Sequence, residues 1–367
     1  MSEHVEREPL EPAHIESELV EAPSRRLRAA AIQLEGVPGR VDLTLARLET
    51  MIVEAGERGA RVIAVPEFCT SPVPMRAEVH AAVLPQENGA VEMFRRLASR
   101  YGATIGGSML VADENDDNST NEVYNRYYLV EPDGRIHTHD KDLPTMWENC
   151  FYTGGGTGRE NDGAVDTGLG GVGVASCWEL IRTRTVRRLR GRVGLAMTGT
   201  HWWGVPDNWG GLTSRALGAL AQYNRYMSEN APAEFARRLG APVLQASHCG
   251  PVRSNFLLAP GSDFSAPYVT EFVGATQIVD ASGTILAFRR TAEGPGIVYA
   301  DVEPGARQPV AGLEDRFWIP ELPLLVRGYW HQQNLAGRSY YRRSGRAAGL
   351  RAADAYTPPS ASPPGLR

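Results

Sequence analysis

Lysine is nearly missing from this sequence: of 38 basic residues, 37 are arginine and one, Lys141, is lysine. Extended apolar runs are missing too, so no stretch reads as a membrane span. The first residues are acidic and polar rather than basic and then apolar, which predicts no secretory signal. Positive charge is not in excess. A net charge of -5 argues against nucleic acid or an anionic membrane as the main partner and points to a small molecule. Cysteine is scarce. Cys69, Cys150, Cys177 and Cys249, spread through 367 residues with no export signal, predict reduced thiols in a cytoplasmic compartment.

What is present is an ordinary globular mixture, 42% hydrophobic and 22% charged, long enough for a large core and, on length alone, two domains. Residues 1–25 are rich in Glu and Pro with little periodicity and predict a flexible extension. Leu27 to Leu34 reads as a buried strand. Asp42 then offers an N-cap for a helix with Leu45, Leu48, Ile52 and Ala55 on one face, stopped by Gly59. Val62 to Val65 is a second strand and ends in Pro66-Glu67. A carboxylate just past such a strand sits where open α/β sheets place ligands, or is simply a solvated loop acid. A helix presenting Phe94, Leu97, Ala98 and Tyr101 ends at Gly102, and a strand follows from Ala103 to Leu110. The polar run Asp113 to Asn118 predicts a surface loop. Val123 to Val130 and Arg135 to His139 flank the turn Pro132-Asp133-Gly134 as a hairpin, and Lys141 follows directly.

The glycine cluster 154–158 has no phosphate-loop lysine and reads as a loop. Gly168, Gly170 and Gly173 fit G-x-G-x-x-G but precede their strand, Val172 to Ala175, which excludes a dinucleotide fingerprint. That strand runs into Ser176-Cys177-Trp178-Glu179, and the arginine-rich segment to Arg190 predicts a helix. A thiol at a strand-to-helix turn can gain thiolate character, although a free cysteine is more often a small buried apolar group, which suits Cys69, Cys150 and Cys249. The arginines from Arg182 to Arg192 read as a solvated or subunit-facing surface. Val193 to Met197 ends at Thr198-Gly199-Thr200-His201-Trp202-Trp203, repeating the strand-helix-strand pattern, so two α/β layers face to face are expected. A long helical region interrupted at Pro232, a strand from Pro242 to Ala246, a hairpin around Gln277 to Phe288 and a strand from Ile297 to Val302 complete the pattern. From Arg342 onward the composition predicts a tail that is mobile or packs on a partner subunit.

A chain that uses arginine almost throughout and keeps one lysine has either a chance survivor or a task for a compact ammonium, which enters sites a planar guanidinium cannot. Glu67, Lys141 and Cys177 each stand at the end of an element. A thiol nucleophile needs a base, which a buried carboxylate supplies, and attack on a carbonyl or nitrile builds charge that an ammonium and a backbone N–H stabilise. The scheme requires no metal and no cofactor. His137-x-His139 offers at most half a metal site, and His201 and His248 keep a Cys-His dyad open.

Three stretches in this order, Val62-Ile63-Ala64-Val65-Pro66-Glu67, Lys141-Asp142-Leu143-Pro144-Thr145 with Glu148, and Gly173-Val174-Ala175-Ser176-Cys177-Trp178-Glu179, resemble the nitrilase (carbon-nitrogen hydrolase) superfamily. The run Gln277 to Ala287 is similar to that family's closing hairpin. The resemblance implies a hydrolase domain over 26–305, between the extension 1–25 and a C-terminal extension 306–367. It implies an α-β-β-α sandwich pairing into an eight-layer dimer, and cleavage of a non-peptide carbon-nitrogen bond through a cysteine-linked thioester. Glu67 would be the base, Lys141 the stabilising cation, Cys177 the nucleophile, and Glu148 the second glutamate that positions substrate and lysine. The Trp178 N–H would complete the oxyanion site, with Trp178, His201 and Trp202 lining the substrate pocket or, for the tryptophans, the core. An amide or related bond is the favoured substrate; a nitrile, or transfer of the acyl group to an amine, are the alternatives. Asp142 and the segment after Glu67 depart from the family's usual pattern.

Overall fold

The computed structural model describes residues 26–113, 121–156, 161–210, 214–317 and 322–357. The expected extension 1–25, the acidic loop beyond Asp113, Thr157-Gly158 of the glycine run and the chain from 358 lie outside the described residues.

The first half of the sheet comes from β1 (Leu27–Leu34), β2 (Val62–Ala64), β3 (Thr104–Asp113), β4 (Glu122–Val130) and β5 (Ile136–Asp140), with helices α1 (Val41–Glu57) and α2 (Gly89–Tyr101) in the crossovers. The second half comes from β6 (Ala164–Thr167), β7 (Gly170–Ser176), β8 (Leu195–Thr200) and β9 (Val243–His248), with α3 (Thr183–Leu189) and α4 (Ser214–Leu239) between them. A small hairpin, β10 (Pro251–Leu257) and β11 (Ser265–Glu271), is followed by β12 (Gly274–Val279), β13 (Ile285–Arg290) and β14 (Gly296–Val302). Helices α5 (Leu324–Tyr340) and α6 (Arg346–Asp354) close the chain. The main sheet has twelve strands in the order β5-β4-β3-β2-β1-β9-β8-β7-β6, with β14 on β1 and β12-β13 on β9. β1 joins the halves, pairing β2 along Ala29–Ala31 and β9 only at Gln33 and Leu34.

Strand periodicity sorts the core into layers. Ala29, Ala31, Val62, Ala64, Val174 and Met197 point between the half-sheets, where small and branched residues let the two sheets approach. Ala30, Ile32 and Ile63 point the other way, against Leu48 and Ile52 of α1 and Phe94 and Leu97 of α2. Ala175, Ala196 and Val243 meet Val186 of α3 and Phe235 of α4. The result is the expected α-β-β-α sandwich.

Several local expectations change. α1 starts at Val41, so Asp42 is not its N-cap but lies in its first turn, paired with Arg40, where a carboxylate still suits the helix dipole. Pro232 does not interrupt α4, which runs through it. Gly168 lies in the tight turn between antiparallel β6 and β7, and Gly170 opens β7 opposite Thr167. After Cys177 the chain makes a 3-10 turn, Cys177–Ile181, and α3 begins only at Thr183. The segment from Arg342 read as a tail is helical as far as Asp354: it continues from α5 through a π-turn (Tyr341–Gly345) into α6, and Tyr341 and Ala353 pack on their own chain.

Candidate active site

The carboxyl ends of the parallel strands converge on one buried cluster, as open α/β sheets dispose their ligand sites. Glu67 follows β2, Cys177 follows β7, His201 follows β8, and β9 ends at His248. Lys141 follows β5, and Glu148 rides on the 3-10 turn Met146–Cys150. Cys177, and two residues beside the other groups, carry left-handed backbone: Cys177 at φ 52°, Phe68 next to Glu67 at 53°, and Met146 at the start of the turn that bears Glu148 at 53°. Such strain persists only where surrounding contacts over-determine it, and it gathers at functional sites.

Lys141 is 1% exposed and lies between two carboxylates, with Nζ 2.8 Å from Glu67 Oε1 and 2.7 Å from Glu148 Oε2. Glu67 also accepts Asn125 Nδ2 at 2.8 Å and the His201 N–H at 2.9 Å. Glu148 accepts the Thr145 N–H at 2.9 Å and the hydroxyl of Tyr152. Burial, aided by Glu148 and opposed by Lys141 and Asn125, pushes the Glu67 carboxyl up to about 7. Burial acts to lower the Lys141 ammonium, but Glu148 and Glu67 outweigh it and hold its pKa well above the ordinary lysine range. The Cys177 thiol is pushed up, by burial first and by the Glu67 charge second, with Lys141 opposing. That corrects the expected thiolate: a five-residue 3-10 turn is not a helix N-terminus, and desolvation dominates. The resting group is a thiol beside a carboxylate that titrates near neutrality.

The histidines do not form a dyad with Cys177. His201 Nε2 accepts the Val73 N–H at 2.9 Å, and His248 Nε2 donates to the Glu67 carbonyl at 2.7 Å. Burial, with His248 and Lys141, drives the His201 pKa well below the usual imidazole range, and burial takes His248 down to about 4. Both are neutral rings that fix backbone around Glu67. The expectation that His201 lines the pocket fails for the same reason, since its ring is enclosed by Phe68, Trp203, His248 and Phe272.

A cavity of about 30 Å³ opens at Cys177, lined by Thr145, Met146, Trp178, Trp202, Trp203 and Asn224. Trp178 and Trp202 are thus both on the wall of this cavity. Asn224, on α4, escaped that reading. Its Oδ1 takes the Trp202 indole N–H at 2.8 Å and its Nδ2 reaches the Trp203 carbonyl at 3.0 Å, so one amide fixes two walls. Asn125 and Tyr152 also went unread. The available signals were Asn125 on the strand beside β5 and Tyr152 four residues beyond Glu148.

Behind Cys177 lies a second buried charge network. Glu179 meets Arg188 Nη2 at 2.7 Å and His139 Nε2 at 3.1 Å, and it accepts the Asp142 N–H. Asp142 pairs with Arg182. Although its own burial works to raise it, His139 and Arg188 hold the Glu179 carboxyl well below the usual range. Arg182 and Arg188 are therefore structural partners rather than part of the expected solvated or subunit-facing surface; Arg184, Arg187 and Arg192 are the exposed ones. Asp142, the residue that departs from the family pattern, anchors the lysine loop to the segment after Cys177. His137 and His139 engage different acids, Glu131 and Glu179. Among the described residues, no cluster of three or more His, Cys, Asp or Glu side chains could hold a metal, and no helix is long and apolar enough to cross a membrane.

Comparison with known proteins agrees with this architecture. An arylacetonitrilase of Aspergillus kawachii is 30% identical over 43% of this chain and 50% of its own length. A citrullinase of Francisella tularensis is 26% identical over 42% of this chain and 53% of its own length. The chain thus matches about half the length of these relatives. Among solved structures, a carbon-nitrogen hydrolase from Helicobacter pylori G27 superposes with a TM-score of 0.57 at 16% identity, covering 76% of this chain and 89% of that one. Nit3 of Saccharomyces cerevisiae, a member of branch 10 of the nitrilase superfamily, gives 0.53 at 18% identity, covering 76% and 90%. These last two establish the fold. The carbon-nitrogen hydrolase family model matches residues 28–311, and the chain belongs to that family of enzymes acting on carbon-nitrogen bonds.

Proposed function

We propose that this protein hydrolyses the carbon-nitrogen bond of a small uncharged amide or related compound through a thioester on Cys177. The observation that supports this best is the single lysine held between Glu67 and Glu148 beside a buried thiol. Glu67 takes the thiol proton as sulfur attacks the carbonyl carbon, and the resulting oxyanion is met by the Lys141 ammonium and the Trp178 N–H. Glu67 passes that proton to the departing nitrogen, ammonia or an amine leaves, and the thioester remains. Water then attacks with Glu67 as base, releasing the carboxylic acid and restoring the thiol. Glu148 holds Lys141 in place. Walls of tryptophan and methionine without a charged side chain suit an apolar substituent on the substrate.

A nitrile, passing through a thioimidate, is the second reading, supported by the relatives named as arylacetonitrilases. The cytoplasmic setting fits four free cysteines. Pairing of two sandwiches into an eight-layer dimer, with the exposed Arg184 and Arg187 of α3 near the contact, is also part of the proposal and rests on the family.

The test is ammonia release from propionamide, phenylacetamide and phenylacetonitrile. Cys177→Ala is expected to abolish it in a folded protein, and Glu67→Gln to form no acyl-enzyme by intact-protein mass spectrometry. Wild-type turnover by Cys177→Ala would overturn the reading.

A further inference from the structure

We propose that α5, which lies beyond the family-matched residues, is part of the active site, with Asn334 as a positioning residue for the turn that carries Met146 and Glu148. The inference rests on the proposed cysteine chemistry only for its readout; the geometry stands apart from it.

Asn334 is 7% exposed. Its Oδ1 accepts two hydrogen bonds, from the Met146 N–H at 3.1 Å and from Asn149 Nδ2 at 3.0 Å. Asn149 in turn spans the turn, giving its amide to the Met146 carbonyl at 2.8 Å. Met146 is the residue held at φ 53°, and it lines the cavity beside Cys177. A left-handed methionine needs outside contacts to persist, and the amide oxygen of Asn334 supplies one at the strained residue's own N–H. Two residues further on, Glu148 reaches Lys141. Any drift of the turn therefore moves a cavity wall and the lysine's partner together.

The helix is shaped for this seat. A Cβ on Gly337 would fall 2.7 Å from Asn149 Cβ, and one on Gly345 would fall 2.2 Å from the Cys150 carbonyl oxygen. Only glycine allows that approach at the two ends of the contact. By contrast Gly328, on the same helix, faces open space. Trp330 extends the contact to the other side of the cavity, its ring stacked near Trp178 with centroids 6.2 Å apart. One helix thus touches both the turn that bears Glu148 and a tryptophan that walls the thiol.

The experiment compares four variants of the full chain: Asn334→Leu, which keeps size and loses the acceptor; Asn334→Asp, which keeps it; Gly337→Ala; and Gly328→Ala. Two readouts are used, kcat and KM on whichever panel compound turns over, and the rate at which acrylamide alkylates Cys177, followed by peptide mass spectrometry. In the second, the sulfur bonds to the terminal alkene carbon and the thiol proton ends on the carbon next to the carbonyl, so no turnover is needed. Asn334→Leu and Gly337→Ala are expected to lower kcat and the alkylation rate at least about tenfold, as small displacements of catalytic groups do, while KM changes less. Asn334→Asp should recover most of that loss, and Gly328→Ala should match the parent. Parent-like rates in Asn334→Leu, or an Asn334→Asp as slow as Asn334→Leu, would overturn the proposal. Should Asn334→Leu fail to fold, the Gly337→Ala and Gly328→Ala pair decides: equal rates in the two overturn it. If Cys177→Ala still turns over, the nucleophile assignment fails instead, and the two failures are told apart.

Discussion

Two four-residue stretches, Thr145-Met146-Trp147-Glu148 and Ser176-Cys177-Trp178-Glu179, fold almost alike. Each begins with an extended residue, turns left-handed at the second, and enters a 3-10 turn whose glutamate reaches back to the N–H of the first residue. The side chains then diverge. Trp147 is fully buried, stacked on Trp203 at 4.0 Å with its indole N–H on the Val73 carbonyl, whereas Trp178 lines the cavity. Glu148 faces an ammonium; Glu179 faces a guanidinium and an imidazole. Alternate residues at the end of β5, His139 and Lys141, serve the two glutamates separately. One backbone device thus presents a sulfur with its acid committed to structure, and an acid next to a lysine that also touches Glu67. Partner chemistry, more than backbone, separates the two roles.

Exchanging the cations gives the largest expected contrast. Lys141→Arg should lower kcat about 100-fold or more, close to Lys141→Ala, because a planar guanidinium does not fit between two carboxylates spaced for an ammonium. Arg188→Lys, the reverse exchange at the other glutamate, should stay within about tenfold. Steady-state ammonia release checks both, and a Lys141→Arg enzyme of near-normal kcat would end the argument from the single lysine. The next contrast concerns the acids. Glu148→Gln should reduce kcat with little change in Tm, since Lys141 keeps Glu67. Glu179→Gln should chiefly destabilise, by about 3 kcal/mol, because Arg188 and His139 lose a buried partner. Calorimetry beside kinetics separates them, and equal Tm losses would erase the distinction. The smallest effect is a shift in pH dependence. With Glu67 titrating near 7, kcat/KM should rise with pH through that region as the base loses its proton. Asn125 donates to the charged form, so Asn125→Ala should move this acid limb to higher pH; a limb that moves down or stays would contradict the sign.

Much of this was readable from residue order. The apolar runs ending in Glu67 and Cys177 gave their strands away, and a lone lysine among arginines marked the third corner. The pattern in α1 and α2 was equally plain, since Leu48, Ile52, Phe94 and Leu97 recur at helical spacing. Other parts were hidden for physical reasons. α5 carries Gly328 and Gly337 and a weak apolar stripe, so its sequence resembles a loop; the need for glycine at 337 exists only once Asn149 lies against it. The β10-β11 hairpin has Pro251, Pro267 and many polar residues, and its pairing partner is its only support as a sheet. The arginines after Cys177 resembled a surface because sequence cannot show that Asp142 and Glu179 return beneath them.

The scarcity of lysine has a practical side. Amine-reactive esters find a single side-chain amine in this chain, and that amine is sealed and protonated at the bottom of the site. Acylation of Lys141 therefore measures how often the buried cluster opens, so the protein carries its own chemical clock for exposure of the site, with no label to be engineered.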